Sequence, residues 1–301
     1  MQGINSRLYN QRIMSRTTVG ILSGLAAAGI WGAMYVVSKV VLNIIPPFAL
    51  ITTRLLLGGL TLYAVIRLRG PMRISSRDFM RVFAVGAVGY GVSLGLQFIG
   101  TKMSTAANGA LVTSATPAFV LVFANRLLRE RISGTRLLAL LVSTVGVVAV
   151  IDPRNAALNG SLFWGNLALL GAALTWALYS VLIRLVTRDL DVLIVSLVAF
   201  LGGLPVSVPA GALELATIGA GKITAWVVLG VLFLGIICTA LAMFLWNRAF
   251  ALVDAGRASL TFFAQPVVGT LLGWMFLHES ITPLFIFGGL LIAIGLVLSS
   301  R

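Results

Sequence analysis

The sequence has few of the residues on which most catalytic and metal sites depend. Its 301 residues include one cysteine, one histidine and eight acidic residues. A lone Cys238 excludes a disulfide framework, and a lone His278 leaves a metal ion with too few ligands, so we expect no metal and no cofactor. Charged residues make up 10% and hydrophobic residues 59% of the chain, with a mean hydropathy of +1.05. These values exclude an ordinary water-soluble protein.

Long apolar runs, by contrast, recur along the whole chain. A membrane-spanning helix needs roughly 20 apolar residues, so ten such helices with short connections would fill this length. The sequence therefore predicts an all-α integral membrane protein with ten transmembrane helices. Their expected positions are 18–42, 48–66, 79–101, 104–127, 134–151, 162–184, 192–211, 224–247, 257–277 and 283–299.

Basic residues outnumber acidic ones by 22 to 8, giving a net charge of +14. With ten spans, 17 of the 22 fall on the side of the membrane that holds both termini. The positive-inside rule then places both termini, including a tail at 1–17, in the cytoplasm of a multi-pass protein of the cell (inner) membrane. We expect the arginines to contact lipid headgroups and not nucleic acid.

Arg54 is the exception, since it falls inside the second predicted helix. A guanidinium at that depth must snorkel to the surface, pair with another group or line a wet cavity. Four of the six tryptophans are expected in the interfacial belts. These are Trp164, Trp226, Trp246 and Trp274.

The chain contains an internal repeat. Shifting the sequence by 149 residues aligns 105–150 with 254–299 without a gap, and a shift of 145 places Trp31 on Trp176. The aligned pairs include Pro117 with Pro266, Glu130 with Glu279, and Gly146 with Gly295. The prediction is two five-helix repeats, at 18–151 and 162–301, joined by a loop at 152–161. Because five is odd, the repeats are inverted, as in transporters that work by alternating access.

At this point the residues resemble a known family. Each half has a tryptophan in its first helix, an alanine-rich start to its fourth helix, a proline within that helix and a glutamate in the next loop. This pattern resembles the ten-helix, EamA-type members of the drug/metabolite transporter superfamily, over nearly the whole chain. The resemblance implies export or exchange of small metabolites across the inner membrane, and amino-acid exporters, including aromatic ones, are among the similar proteins.

Two sets of side chains are candidates for binding substrate. Trp31 and Trp176 lie near mid-span, and on the same helical faces follow Tyr35, Ser38 and Tyr179. They predict an aromatic-walled cavity at the membrane midplane, with ordinary bundle packing as the alternative.

The second set is polar. The third helix carries a stripe formed by Tyr90, Ser93, Gln97 and Thr101. Asn108 and Gln265 add amides on the fourth and ninth helices. The stripe could line a cavity or form hydrogen bonds between helices.

The paired Pro117 and Pro266 each remove a backbone donor within a helix, which predicts a hinge or a static kink. Three Gly-x-x-x-Gly spacings, which begin at Gly20, Gly91 and Gly269, predict close packing within the chain, and we expect a monomer or weak dimer. Glu130 is expected to cap a helix or to pair within its loop.

None of the acidic residues is predicted at mid-span, which disfavours proton-coupled export of cations. The leading hypothesis is a secondary transporter that exports small neutral or zwitterionic metabolites, with an amino-acid-like substrate. The alternatives are an exporter of drugs or organic cations, or of a phosphorylated metabolite. An integral-membrane enzyme would need clustered acidic, histidine or serine groups that the sequence lacks.

Overall fold

The computed structural model describes residues 2–103, 112–113, 115–151, 160–277 and 283–300, and within these ranges the chain is helical without strands. We label the helices in chain order. They are α1 (Gln2–Leu42), α2 (Pro47–Arg69), α3 (Ser76–Met103), α4 (Thr116–Leu128), α5 (Gly134–Ile151), α6 (Gly160–Val186), α7 (Val192–Thr217), α8 (Ala225–Leu252), α9 (255–277) and α10 (Pro283–Ser300).

Six of these helices, α1, α2, α3, α6, α7 and α8, are long and apolar enough to cross a membrane. The all-helical membrane fold is thus confirmed, while the count of ten spans stays a prediction. Two boundaries differ from expectation. Helix α1 begins at Gln2, far ahead of the predicted start at residue 18, and α8 continues to Leu252 instead of ending near 247.

Polar residues in the short connections fix where several helices begin. Ser75, Asp191, Thr224 and Asp254 each accept a hydrogen bond from a backbone N–H of the following first turn. Pro47 starts α2, where its missing N–H would have had no partner in the helix. These caps keep the connections short, so neighbouring helices pack side by side.

Helices of the first half interleave with helices of the second. Helix α1 packs on α8 and α9, α2 on α7, α3 on α6 and α7, and α5 on α10. At the last crossing a Cβ atom on Gly146 would lie 2.7 Å from the Gly288 carbonyl oxygen, and one on Gly295 would lie 2.9 Å from that of Ala139. Since Gly146 and Gly295 are repeat partners, this crossing has the symmetry that the repeat predicts.

The Gly-x-x-x-Gly residues lie at contacts within the chain, as expected. Gly20 and Gly24 face Val253 and Thr261, and Gly269 faces Gly32. Elsewhere, a Cβ on Gly32 would lie 2.8 Å from the Gln265 carbonyl oxygen, so α1 and α9 approach backbone to backbone. The α9 residues at this crossing, Gln265 and Val268, are therefore close to Trp31, which directly precedes Gly32.

Two helices contain a wider, π-helical segment near their middle: Ala87–Ser93 in α3 and Phe233–Leu241 in α8. Helices α3 and α8 are the third helix of each half, and the repeat shifts of 145 and 149 place one segment on the other. Such π segments occur frequently at functional sites, because they rotate the side chains beyond them and loosen the backbone hydrogen bonding. Here both adjoin the aromatic cluster described next.

Candidate functional site

An aromatic cluster lies where the two halves meet. The rings of Trp31 and Trp176 pack edge to face with centroids 5.7 Å apart, as their symmetric positions predict. Trp246 completes the cluster at 5.3 Å from Trp31 and 6.5 Å from Trp176, and Phe262 lies 6.1 Å from Trp31. All four side chains are buried.

The placement of Trp246 in an interfacial belt was wrong. Its side chain is fully buried, and its indole Nε1 donates to Ser180 Oγ at 3.0 Å. The reason is the length of α8, which runs six residues past Trp246 and so keeps it inside the bundle. Trp164 and Trp226, in contrast, are 62% and 81% exposed, as belt residues should be. The side chain of Trp274 lies outside the described part of the structure.

The two symmetry-related indoles differ in their hydrogen bonding. Trp31 Nε1 donates to the Cys238 carbonyl at 3.1 Å, within the π segment of α8. Trp176 Nε1 is buried and has no hydrogen-bond acceptor. A buried N–H without an acceptor is unfavourable. Trp176 therefore presents a donor that a bound molecule could satisfy.

Beside these rings lies the main cavity, with about 430 Å³ of space not filled by atoms, much of it in narrow gaps between side chains. Its walls are Trp31, Met34, Ser93, Leu94, Gln97, Thr113, Thr116, Ala172, Ala173, Trp176, Met243, Phe262 and Gln265. The structure thus brings together five of the predicted candidates, Trp31, Ser93, Gln97, Trp176 and Gln265. No acidic or histidine side chain is among the described residues of the wall, which is apolar and aromatic with a few neutral polar groups.

A second, still narrower cavity, with about 220 Å³ of space not filled by atoms and nearly all of it in gaps between side chains, adjoins the first and shares Met34 and Gln97 with it. Its other walls are Tyr35, Ser38, Leu42, Phe98 and Thr101. Gln97 Nε2 donates to the Tyr35 hydroxyl at 3.3 Å, whereas the buried Ser38 hydroxyl has no partner. Gln97 therefore links the two cavities, and the predicted Tyr35 and Ser38 belong to the second one.

Tyr90 and Tyr179 lie behind the cavity wall and do not line it. Their hydroxyls are 2.6 Å apart, and Tyr179 donates to Asn247 Oδ1 at 2.8 Å. Asn247 Nδ2 in turn donates to Ser196 Oγ at 3.0 Å. The Tyr179 ring also packs against Trp176, at 4.9 Å between centroids. This fully buried network holds the Trp176 ring in position, and a direct contact of either tyrosine with substrate stays a prediction.

Each of the paired prolines follows an irregular turn. Pro117 stands in the first turn of α4, two residues after Ala115, which belongs to a turn that precedes the helix. Pro266 follows a 3-10 turn, Thr261–Phe263, that divides α9 into Ala255–Leu260 and Ala264–Leu277. Both breaks lie next to residues of the main cavity wall. Asn108, His278 and Glu279 lie outside the described residues.

Arg54 is buried in the bundle, 1% exposed, so it does not snorkel to the surface. Its Nε donates to Thr239 Oγ1 at 3.1 Å and its Nη2 contacts Met34 Sδ at 3.4 Å. The guanidinium carbon lies 5.2 Å from the centre of the Phe98 ring, and Nη1 has no hydrogen-bond partner. Sequence reasoning could not find this position, because it depends on side chains from three other helices.

One end of the bundle, which we call the Glu130 face, carries ionic contacts between the halves. The carboxylate of Glu130 lies 3.0 Å from Arg184 Nε and accepts from the N–H of Ala255 at 3.1 Å. Arg184 also donates to the Phe250 and Val253 carbonyls. Glu130 thus caps a helix as expected, but the helix belongs to the other half.

Arg136, which follows the loop that holds Glu130, pairs with Asp254 of the other half at 3.1 Å. Asp254 lies 3.5 Å from Arg257 as well. At the opposite end, the Glu214 face, the Glu214 carboxylate accepts from the N–H of Phe48 at 2.7 Å. Among the described residues no group of three or more His, Cys, Asp or Glu side chains could hold a metal ion.

A helical membrane bundle with interleaved halves and a neutral cavity between them has the architecture of a secondary transporter. Comparison with known proteins supports the class of transporter. The model of the EamA-like transporter family matches residues 18–151 and again residues 163–301, so the chain belongs to this family and consists of two repeats.

Relatives are similar over most of their length. A Bacillus subtilis (strain 168) protein named uncharacterized transporter YoaV is 23% identical over 95% of this chain and 97% of its own. A Pseudomonas aeruginosa PAO1 protein named probable biotin transporter is 30% identical over 76% of this chain and 79% of its own. These names indicate a transporter and not an enzyme.

A solved crystal structure of a protein 21% identical in sequence superposes with a TM-score of 0.79 over 94% of this chain and 96% of that one. At this identity the match concerns the fold alone. The comparisons thus show the family, the two repeats and the membrane fold. The residues of the cavity wall are the basis for a proposal about the substrate.

Proposed function

We propose that this transporter exports small neutral or zwitterionic metabolites, namely amino acids with apolar or aromatic side chains. The observation that carries the proposal is the wall of the main cavity, which combines the rings of Trp31, Trp176 and Phe262 with the amides of Gln97 and Gln265. Aromatic faces bind apolar bodies, and amides offer both donors and acceptors. A wall without acidic groups does not favour a cationic drug, and Arg54 alone is too little positive charge for a phosphorylated solute.

In this proposal the Glu130 face and the Glu214 face open alternately. The contacts of Glu130 and Arg184 close one route to the main cavity, and the narrow gaps within it mean that the walls must separate before substrate binds. The helices bend at the irregular turns before Pro117 and Pro266, because the backbone there lacks some of the regular helical hydrogen bonds. Both turns lie next to the cavity.

Pro117→Ala and Pro266→Ala test the hinge separately from the binding site. Each substitution restores a backbone N–H and so allows a more regular, stiffer α4 or α9. Exchange across the membrane should therefore slow several-fold, while equilibrium binding of substrate changes little. Rates of counterflow and affinities from tryptophan fluorescence would be compared for each variant. Equal loss of rate and affinity would mean that the prolines shape the site and do not act as hinges.

The substrate proposal is tested by counterflow in liposomes of the purified protein. The panel should contain apolar and aromatic amino acids, organic cations and sugar phosphates, each with and without a proton gradient. Export of an apolar amino acid, saturable and competed by its analogues, is expected. Transport of cations or sugar phosphates with no amino-acid transport would overturn the proposal.

Biotin is a second candidate, because a relative at 30% identity is named a probable biotin transporter. Its thioether ring and aliphatic chain are apolar and suit the aromatic wall, and its urea group can form hydrogen bonds with the amides of Gln97 and Gln265, so it belongs in the same panel.

We also propose that the protein lies in the inner membrane as a monomer or weak dimer, with both termini in the cytoplasm and its surface arginines against anionic lipid. Labelling of the termini in intact cells against opened cells tests this orientation.

A further inference from the structure

Arg54 has too few partners for a buried charge. A guanidinium has five N–H donors, yet this one donates to a single oxygen, Thr239 Oγ1, and to the weakly accepting sulfur of Met34. Thr239 is itself fixed, since its hydroxyl donates to the Leu234 carbonyl at 2.7 Å within the π segment of α8. Nη1 has no partner, and no carboxylate of the described residues lies within ion-pair distance of Arg54.

An unpaired charge inside a membrane protein is expensive and is kept where function requires it. A purely structural link between α2 and α8 would need only a neutral donor to Thr239. The remaining donors of Arg54 point to an anion that the protein alone does not provide.

The position of Arg54 relative to the two cavities indicates where that anion would come from. Met34, which contacts Nη2, lines both cavities, and Phe98, under the guanidinium, lines the second one. Arg54 is therefore one side chain away from the substrate path. A methionine side chain is flexible, so rotation of Met34 would open that path to Nη1 and Nη2.

We propose that Arg54 binds the carboxylate of the transported molecule, while the apolar body of that molecule lies against Trp31 and Trp176. The two outer nitrogens of a guanidinium match the two oxygens of a carboxylate. Neither an organic cation without a carboxylate nor a neutral sugar offers such a pair of acceptors. The Ser38 hydroxyl, also without a partner, is a further donor in the second cavity. This inference rests on the proposed function and assigns the polar end of its substrate.

The test uses three probes with the same phenyl ring: L-phenylalanine, 3-phenylpropionate, which lacks the amine, and phenethylamine, which lacks the carboxylate. Binding to the purified protein is measured by tryptophan fluorescence. The wild type should bind both carboxylates about 10- to 100-fold more tightly than phenethylamine, as a charge-assisted hydrogen-bond pair implies. Arg54→Gln should lose this preference, and Arg54→Lys, which keeps the charge without the two-pronged donor, should be intermediate.

Arg67→Gln is the matched control, because Arg67 is an exposed arginine of the same helix, α2, beside the Tyr63 ring and outside the walls of both cavities. It should keep the preference for carboxylates. If the wild type shows no preference, or Arg54→Gln retains it, or Arg67→Gln abolishes it as well, Arg54 is a structural residue and the inference fails. Circular dichroism and size-exclusion profiles establish that each variant is folded, and Arg54→Lys carries the test if Arg54→Gln is not.

The outcome is separable from that of the proposed function. Amino-acid counterflow that runs equally in the wild type and in Arg54→Gln would uphold the proposed function and overturn the role of Arg54. Binding that depends on Arg54 and on a carboxylate, without any counterflow of amino acids or biotin, would uphold the role of Arg54 and overturn the transported class.

Discussion

Replacing Trp31 or Trp176 with phenylalanine removes the same atoms from two buried positions but breaks a hydrogen bond at only one. The side chains are 3% and 7% exposed, so the loss of apolar contact and the cavity left behind should be similar. Only Trp31 donates to a protein acceptor, the Cys238 carbonyl at 3.1 Å. Trp31→Phe should therefore be more destabilising than Trp176→Phe by about 1 kcal/mol, the net value of a neutral hydrogen bond.

The effect on substrate binding should have the opposite order. The Trp176 N–H has no acceptor within the protein, and its side chain lines the main cavity, so we expect this N–H to donate to substrate. Trp176→Phe should weaken binding of the transported amino acid by about 2- to 10-fold, which corresponds to one lost neutral hydrogen bond. Trp31→Phe should change the affinity less, because its N–H is already engaged.

Both quantities can be measured on the same preparations. Unfolding titrations in detergent micelles give the difference in the free energy of unfolding, and fluorescence titration with the transported amino acid gives the affinities. If Trp176→Phe were as destabilising as Trp31→Phe and left affinity unchanged, the unpaired N–H would have no functional meaning. The reasoning would then be refuted.

Two further predictions concern packing and closure. A methyl group at Gly86 would overlap the Ala199 backbone, so Gly86→Ala should destabilise the protein by about 1–3 kcal/mol or prevent folding; the control Gly134→Ala, where a methyl meets nothing within 4 Å, should behave as wild type in the same unfolding titration. Glu130→Gln removes an ion pair and weakens the acceptor for the first turn of α9, so hydrogen exchange at 255–260 should accelerate several-fold. Unchanged exchange there would show that Glu130 does not hold the face closed.

The sequence sufficed for features that depend on repetition. Gly146 and Gly295 align in the repeat and pack at one helix crossing, and Trp31 and Trp176 align and touch. Symmetry makes such predictions robust, because equivalent positions in two interleaved halves lie at equivalent depths and must meet near the axis between them. The family assignment follows from the same repetition and is confirmed.

Positions that depend on helix length or on tertiary partners could not be predicted. Trp246 was placed at a helix end because hydropathy does not show where α8 stops, and the π segment of α8 further shifts the face on which it lies. The buried site of Arg54 depends on Thr239 and Met34, which are distant in the sequence. Tyr90 and Tyr179 have the right spacing for a cavity wall, but their hydroxyls bind each other behind it.

The isolation of Cys238 has a practical value for watching this transporter move. Cys238 is the single cysteine of the chain, and its side chain is fully buried. Reagents that label surface thiols should therefore not react with it in the folded protein. Cysteines introduced at Gly134, the first residue of α5, and at Gly221, in the loop before α8 at the opposite end of the bundle, can then carry spectroscopic labels without removal of the native residue. Distance distributions between such labels, with and without substrate, would show directly how many conformations the membrane-embedded protein visits and how substrate changes their populations.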